Sequence, residues 1–442
     1  MKNAIKITIA SSLVCGVLHA QDVQEDRDRT PSVRQAIQSV SDTPQEDPSV
    51  VGGLKRMVKY GKISGEVRSI YTHYDNADTT NTYATAVGTQ LKYELAKFKG
   101  FNGGIALSLS RDINAWSGDT LSYTNELSSE DGSYAQMSEL YIDYEYENFS
   151  LRGGRQVLDT PLADSDDVRM IPNTFEAYIV NYTLNDFSFM GGLIKEWQGA
   201  DAGLDTQEPW QETGKDGTYF GGVSYESDLF AGSAWYYDVS ENDVENVASQ
   251  SAYADISSHY DINEDVAIYG GLQYLNQREQ SNSGVKSSIY GANAEVLAYG
   301  LGLNLAYNKA EKHSGKNSFS GFGGGTLFTS MDSMIIDAIA DDREAEALVA
   351  GLSYSIGDFN LLYAYGDFKG GANSAGQKEH IVEQDIGLEY TPSENITIAS
   401  IYTMNDDKEN TATNDGNWNN FRVLFSYNFQ MTLKNKRFKN GK

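Results

Sequence analysis

From Lys62 to Phe429 the chain runs as segments of about ten residues in which apolar or aromatic positions alternate with polar or small ones, the period of a β-strand with two unlike faces. In "NFRVLFSYNF", Phe421, Val423, Phe425, Tyr427 and Phe429 share one face and leave Arg422, Ser426 and Asn428 on the other. In "VEQDIGLEY", Val382, Ile386, Leu388 and Tyr390 oppose Glu383, Asp385 and Glu389. A soluble β-sandwich alternates as well, so the pattern by itself predicts strands and nothing more.

The connections decide the architecture, because they alternate in length. Tight-turn signals fall near Asn148, at Asn185 to Asp186, Ser227 to Asp228, Asn263 to Asp265, Gly357 to Asp358 and Pro392 to Asn395, with weaker ones at Lys97 to Gly100 and Leu297 to Ala298. Between them lie nine long polar loops: Asp75 to Thr82, Ile113 to Ser133, Gln156 to Thr174, Trp197 to Asp216, Val239 to Ser249, Asn276 to Lys286, Ala310 to Glu344, Phe368 to Glu379 and Asn405 to Asn419. Nine long and eight short connections predict eighteen strands. Short turns on one side and long loops on the other predict an all-β fold, a transmembrane antiparallel β-barrel that must close because lipid satisfies no open sheet edge. The apolar face then meets lipid, with Tyr and Phe at strand ends as interfacial girdles. The charged face lines an interior that, at this strand number, is wide enough to hold water. A propeller or solenoid would carry a repeat signature, which the sequence lacks.

The ends of the chain place it outside the cytoplasm. Met1 to Ala20 pairs Lys2 and Lys6 with an apolar run and a small residue, the pattern of a cleaved secretory signal. The only cysteine, Cys15, leaves with it, so no disulfide or cysteine-held metal supports the mature chain and stability has to come from a large sheet. The formal net charge of −28, two units more negative without Lys2 and Lys6, argues against a nucleic-acid partner. Residues 21–61 read as a polar periplasmic extension, with a short helix in "PSVRQAIQSV", residues 62–429 as the barrel and residues 430–442 as a basic tail.

The third long loop stands out. "LRGGRQVLDTPLADSDDVRMIPNTFEAY", Leu151 to Tyr178, has two rigid corners at Pro161 and Pro172 and sets charge beside Met170 and Ile171. Either it caps the mouth or it folds inward and narrows the lumen. The segment resembles the corresponding region of the OprD-type outer-membrane porins, where a Gly/Arg-ended strand leads into a loop with Pro, Asp-x-Arg, a second Pro and Thr-Phe. "LKRMVKYGKISGEVRSIY", Leu54 to Tyr71, is similar to that family's approach to its first strand. The resemblance implies an eighteen-stranded channel for small solutes such as carboxylates or amino acids, constricted by the third loop and lined by a ladder of basic side chains facing acids. By matching position it implies pore roles for Arg152, Arg155 and Arg169. Alternation adds Arg68, opposite in sign to its neighbour on the same face Glu66, and Arg422 on the last strand, which in a closed barrel adjoins the first.

Asp159, Asp164, Asp166 and Asp167 in the loop would attract the opposite sign, and with Glu66, Glu94, Glu139, Asp143, Glu383, Asp385 and Glu389 inward they predict a modest overall cation preference. An arginine about 8 Å from a passing carboxylate contributes roughly 0.5 kcal/mol in bulk water and about 2 kcal/mol at an effective dielectric near 20, enough to guide a solute without trapping it. The expected partners are outer-membrane lipid and lipopolysaccharide, the barrel-assembly machinery that reads Phe429, and small solutes, with the chain a monomer or homotrimer.

Other readings are a non-selective general porin, a barrel hydrolase, and a surface adhesin or structural barrel. The hydrolase reading rests on Asp255, Ser257 and His259 in "ADISSHYDI", but residues two apart on one strand face stand about 6.7 Å apart, too far for a nucleophile and base. His73, His313 and His380 show no ligand spacing, and "DSDD" fails as a calcium loop because Val168 takes a ligand position, so no metal or cofactor is expected. "GFGGG", Gly321 to Gly325, lacks the strand and helix of a phosphate loop and reads as flexible backbone. Met331 to Ala340 has the composition of a short helix packed inside or over the pore.

Overall fold

A computed structural model describes residues 50–77, 79–113, 122–129, 131–166, 169–203, 210–242, 246–409 and 417–432. A ten-residue helix α1 (Val50–Lys59) precedes the wall. The wall begins with β1 (Lys62–Asn76), β2 (Thr82–Glu94), β3 (Phe101–Asp112), β5 (Ser133–Tyr146), β6 (Phe149–Gln156), β7 (Thr174–Leu184) and β8 (Phe187–Gln198). It continues with β10 (Thr218–Glu226), β11 (Phe230–Val239), β12 (Ser249–Asn263), β13 (Val266–Glu279), β14 (Ser287–Ala298) and β15 (Leu301–Ala310). It ends with β16 (Ala345–Ile356), β17 (Phe359–Gly370), β18 (Glu379–Ser393), β19 (Ile396–Asp407) and β20 (Trp418–Thr432). The two-residue strands β4 (Ser122–Tyr123) and β9 (Gln211–Glu212) lie in long loops, and a single helical turn, α2 (Ile336–Ile339), lies between β15 and β16.

Eighteen strands therefore form the wall, each antiparallel to its neighbours, and β1 closes it by pairing with both β2 and β20. The closing register runs from Lys62 opposite Thr432 to Asn76 opposite Trp418, so β20 extends three residues past Phe429. Closure removes both sheet edges, which is what permits a sheet to sit in hydrocarbon.

The sequence period becomes the two faces of this wall. On β5, Leu140 and Ile142 are exposed while Glu139, Tyr141 and Asp143 are buried. On β18, Ile386 and Leu388 are exposed while Glu383, Asp385 and Glu389 are buried. An apolar outer surface of this extent fits a lipid environment, and the polar set is turned inward.

The eight short connections fall at the predicted places with one shift. Between β14 and β15 the turn is at Tyr299 and Gly300, both with positive φ (53° and 83°), two residues beyond the predicted Leu297 to Ala298. Leu297 is buried and continues the strand, so the apolar alternation runs to its end before the chain reverses. Among the long loops, the predicted start at Asn276 is also corrected, since β13 keeps its pairing to Glu279. The predicted signal, the "PSVRQAIQSV" segment and residues 433–442 lie outside the described residues.

Inside the barrel an apolar cluster fills one side. The wall supplies residues that include Phe175, Ile194, Phe220, Trp235, Tyr237, Leu275 and Phe368, and two loops add to them: Leu158, Leu162 and Ala163 from the third long loop, and Leu327, Met331, Ile336 and Ile339 from the loop after β15. Each fully buried aliphatic or aromatic side chain contributes about 1.5 to 3 kcal/mol, so the cluster fixes both loops against the wall. The expected helix in residues 331 to 340 is confined to α2, and it packs within this cluster.

Candidate functional site

The charged interior side chains gather on the opposite wall, from β18 through β20 and β1 to β6. Alternation and register determine their heights. Arg422 on β20 lies in register with Thr72, and Arg68, four residues below Thr72 on β1, lies in register with Ser426. Lys92 on β2 lies in register with Ser64, four residues further down. At about 3.3 Å per residue these three cations form rungs roughly 13 Å apart along the wall.

Every rung has an acidic partner. Arg68 donates from Nε to Glu66 Oε1 at 2.9 Å and from an Nη to Glu66 Oε2 at 2.9 Å, a bidentate pair whose carboxylate also accepts from Ser426 Oγ. Lys92 Nζ lies 2.8 Å from Glu139 and 5.2 Å from the Tyr141 ring centre. Arg152 pairs with Asp143 through two bonds of 2.5 and 2.8 Å and lies 4.2 Å from the centre of the same Tyr141 ring. Arg422 pairs with Asp332, which also accepts from Thr403 Oγ1 at 3.0 Å. Ser333 next to it donates its backbone N–H to Glu383 at 2.9 Å. Bidentate geometry holds the guanidinium groups of Arg68 and Arg152 in one orientation, so these two present fixed donors and not mobile charges.

The third long loop reaches this wall. The Arg169 carbonyl accepts from Arg68, and Met170 is buried with Ile70, Ala84, Ala86, Leu127 and Leu424. A Cβ on Gly88 would stand 2.7 Å from the Met170 terminal methyl, so the glycine in β2 makes room for it. The Arg169 side chain itself is exposed. Glu126 of the second long loop lies within electrostatic reach of Arg169 and Arg422; burial pushes its carboxyl above the usual range, and the two arginines oppose that rise.

On its other side the same loop is joined to the loop after β15. Leu162 N–H donates to Tyr237 at 3.3 Å, Phe322 N–H donates to Leu162 at 2.9 Å, and Asp164 N–H donates to Phe322 at 3.0 Å. Phe322 of "GFGGG" is therefore bridged to the third loop within the segment expected to be flexible backbone. Gly321 and Gly323 have φ of 102° and 101°, and a Cβ at either would meet loop backbone at 2.8 and 2.2 Å, which is why glycine stands there.

The predicted residues divide accordingly. Arg68, Arg152 and Arg422 line the inner wall, and Arg169 lies beside them. Arg155 does not join them: it is opposite exposed Leu140 on β5 and opposite Glu176 on β7, on the outward face. It bonds Glu176 at 3.1 Å and stacks 4.2 Å over Trp210. Arg152 and Arg155 are three residues apart, and a period of two puts such residues on opposite faces. Asp159 and Asp164 spend their carboxylates on the loop's own backbone, accepting from Ser165 N–H at 3.1 Å and Asp166 N–H at 2.7 Å. Asp166 has a φ of 39° within that turn, and Asp167 lies outside the described residues. Sequence reading missed Lys92, Glu126 and Asp332; for Lys92 the signal was available, since it alternates with outward Leu91 and Tyr93.

Asp255 accepts from Ser233, and His259 stacks on Tyr269 with ring centres 5.7 Å apart, so two members of the trio considered for catalysis are engaged with neighbouring strands. Among the described residues no group of His, Cys, Asp and Glu has metal-site geometry.

Asp337 in α2 is a buried acid beside the Ser318 and Ser320 hydroxyls, and burial pushes its carboxyl up to about 6. The folded chain then holds a proton that the unfolded chain releases near the ordinary value of 3.8, so stability falls as pH rises between those values. Asp337→Asn is expected to abolish this dependence and to stabilise the barrel at pH 7 by on the order of 2 kcal/mol relative to the parent. Denaturant unfolding of both proteins at pH 4 and pH 7 checks it.

Comparison with known proteins agrees with this fold. The family model for outer membrane porins of the OprD family matches residues 62–431. Pseudomonas aeruginosa OpdK, crystallised with vanillate, superposes with a TM-score of 0.70 at 17% identity, covering 84% of this chain and 99% of that one. Acinetobacter baumannii OccAB2 gives 0.70 at 16% identity, covering 85% and 99%, and Pseudomonas aeruginosa OccK9 gives 0.69 at 13%, covering 85% and 100%. No curated protein matches. With the family match spanning nearly the whole wall, this chain belongs to the OprD family of outer membrane porins.

Proposed function

We propose that this porin passes small solutes bearing a carboxylate, with zwitterions such as amino acids favoured over simple anions, through a constriction set by the third long loop. The observation that carries the reading is the contact of the third loop with the charged wall: its Arg169 carbonyl is bonded to Arg68, and Glu126 lies within electrostatic reach of both Arg169 and Arg422. Basic rungs Arg422, Arg68 and Lys92 offer a carboxylate successive partners, and the acid beside each offers an ammonium its own. A zwitterion satisfies both sets, whereas a plain anion meets the carboxylates of Glu66, Asp332 and Glu139 as repulsion. Steps of about 2 kcal/mol at an effective dielectric near 20 order the solute and still release it. The crystal structure of OpdK with vanillate, a carboxylate, is consistent with this substrate class.

In the same reading residues 1–20 serve export, Phe429 on β20 is read by the assembly machinery, and the barrel works as a monomer or homotrimer. The interior acids on β18, Glu383, Asp385 and Glu389, add to the acidic side of the lumen, which in this reading keeps a modest preference for cations among simple ions. Liposome swelling tests the substrate class: a small amino acid is expected to enter several-fold faster than a sugar or a dicarboxylate of equal size. Equal rates for all three would leave only a general porin.

A further inference from the structure

The helix α1 sits on the outside of the barrel, at the short-turn rim. It is fixed there by Ala96 N–H, which donates to the Met57 carbonyl at 2.9 Å, and by the hydroxyl of Tyr93, which donates to the Val58 carbonyl. Gly53 allows the approach, since a Cβ there would stand 2.2 Å from the Phe98 ring. Tyr93 alternates with inward Lys92, so the helix rests on the lipid-facing side of β2 and β3.

At 100° per residue, Gly53 and Met57 take the docked edge of the apolar stripe, and Val50, Leu54, Val58 and Val51 continue it around the helix. These four remain more than half exposed although they are apolar. Next around the circumference come Lys55, Lys59 and Arg56, and the helix carries no acid. Between helix and wall runs an open groove of about 690 Å³, whose lining includes Leu54, Met57, Phe98, Phe101, Leu140 and Ile142, with Lys99 at its side. Phe101, Leu140 and Ile142 belong to the exposed outer face, so the groove is continuous with the surface that meets hydrocarbon.

We propose that α1 is an interfacial anchor in the periplasmic leaflet, and that the groove beneath it holds an acyl chain of an anionic phospholipid whose phosphate lies among Lys55, Lys59 and Lys99. Three observations select this occupant. The uncovered stripe adjoins lipid-facing wall, the flanking charges are basic without acids on the helix, and the groove is apolar and partly open. A basic amphipathic helix with this division of faces lies in the plane of a membrane surface and prefers anionic headgroups.

The mature chain has no cysteine once the signal leaves, so single nitroxide labels report on this site cleanly. Leu54→Cys, Val58→Cys and Lys59→Cys proteins would be reconstituted in vesicles of phosphatidylethanolamine and phosphatidylglycerol. Labels at 54 and 58 are expected to be relaxed more by oxygen than by an aqueous nickel chelate, and the label at 59 the reverse. Nickel-dominated relaxation at all three positions overturns the anchor. Native mass spectrometry of the detergent-extracted protein then tests lipid choice: retained phosphatidylglycerol should exceed its vesicle proportion and fall about tenfold in the Lys55→Glu, Lys59→Glu protein. Retention at the vesicle proportion in the parent overturns the headgroup assignment even if the charge-reversed variant fails to assemble.

Discussion

Arg169→Ala is expected to raise the cation-to-anion permeability ratio roughly threefold and single-channel conductance by about half. The substitution leaves the loop in place, because Arg68 is bonded to the Arg169 carbonyl and Met170 stays buried against β1, β2 and β20. It removes the exposed guanidinium and leaves Glu126 with one fewer cation beside it, so the local balance shifts toward acid. Reversal potentials in a salt gradient, measured for parent and variant, check the sign. A conductance and reversal potential equal to the parent's would return the loop to the role of a surface cap.

Asp332→Asn is expected to act in the opposite direction. Asp332 joins the loop after β15 to the charged wall through Arg422 and Thr403, and both charged partners are largely buried. Removing one partner of a buried pair costs about 3 to 5 kcal/mol, since the remaining charge loses its direct hydrogen-bonded counter-ion. Opening of residues 327–334 should then increase, with amide exchange faster by on the order of a hundredfold. Loss of one acid and release of Arg422 should also move the reversal potential toward anions. Exchange rates unchanged across that segment would mean that the apolar cluster alone holds the loop.

The strands were legible because a wall between lipid and water enforces a period of two on every segment, and connection length separated its two rims. The same period, applied strictly, would have placed Arg155 correctly: it lies three residues from Arg152, and the family motif pulled both inward while the backbone could turn only one. Alternation would also have found Lys92 between Leu91 and Tyr93. What no period reveals is a contact between loops. Arg169 meets Arg68, and Asp332 meets Arg422, across the interior and far apart in sequence. "GFGGG" read as free backbone because glycine signals permissive conformation, and only the paired edge of Leu162 to Asp164 explains why permissiveness is needed there. Helix α1 was folded into a polar extension because its docked edge rests on one glycine and one methionine, too little to mark a buried face in sequence.

The most direct test is single-channel recording of the mature protein in a planar bilayer under a salt gradient, with a small amino acid then added. The account predicts discrete small steps, a reversal potential on the cation side, and transient block by the amino acid that weakens in Arg68→Ala. A silent bilayer, or large steps that no carboxylate interrupts, would contradict it.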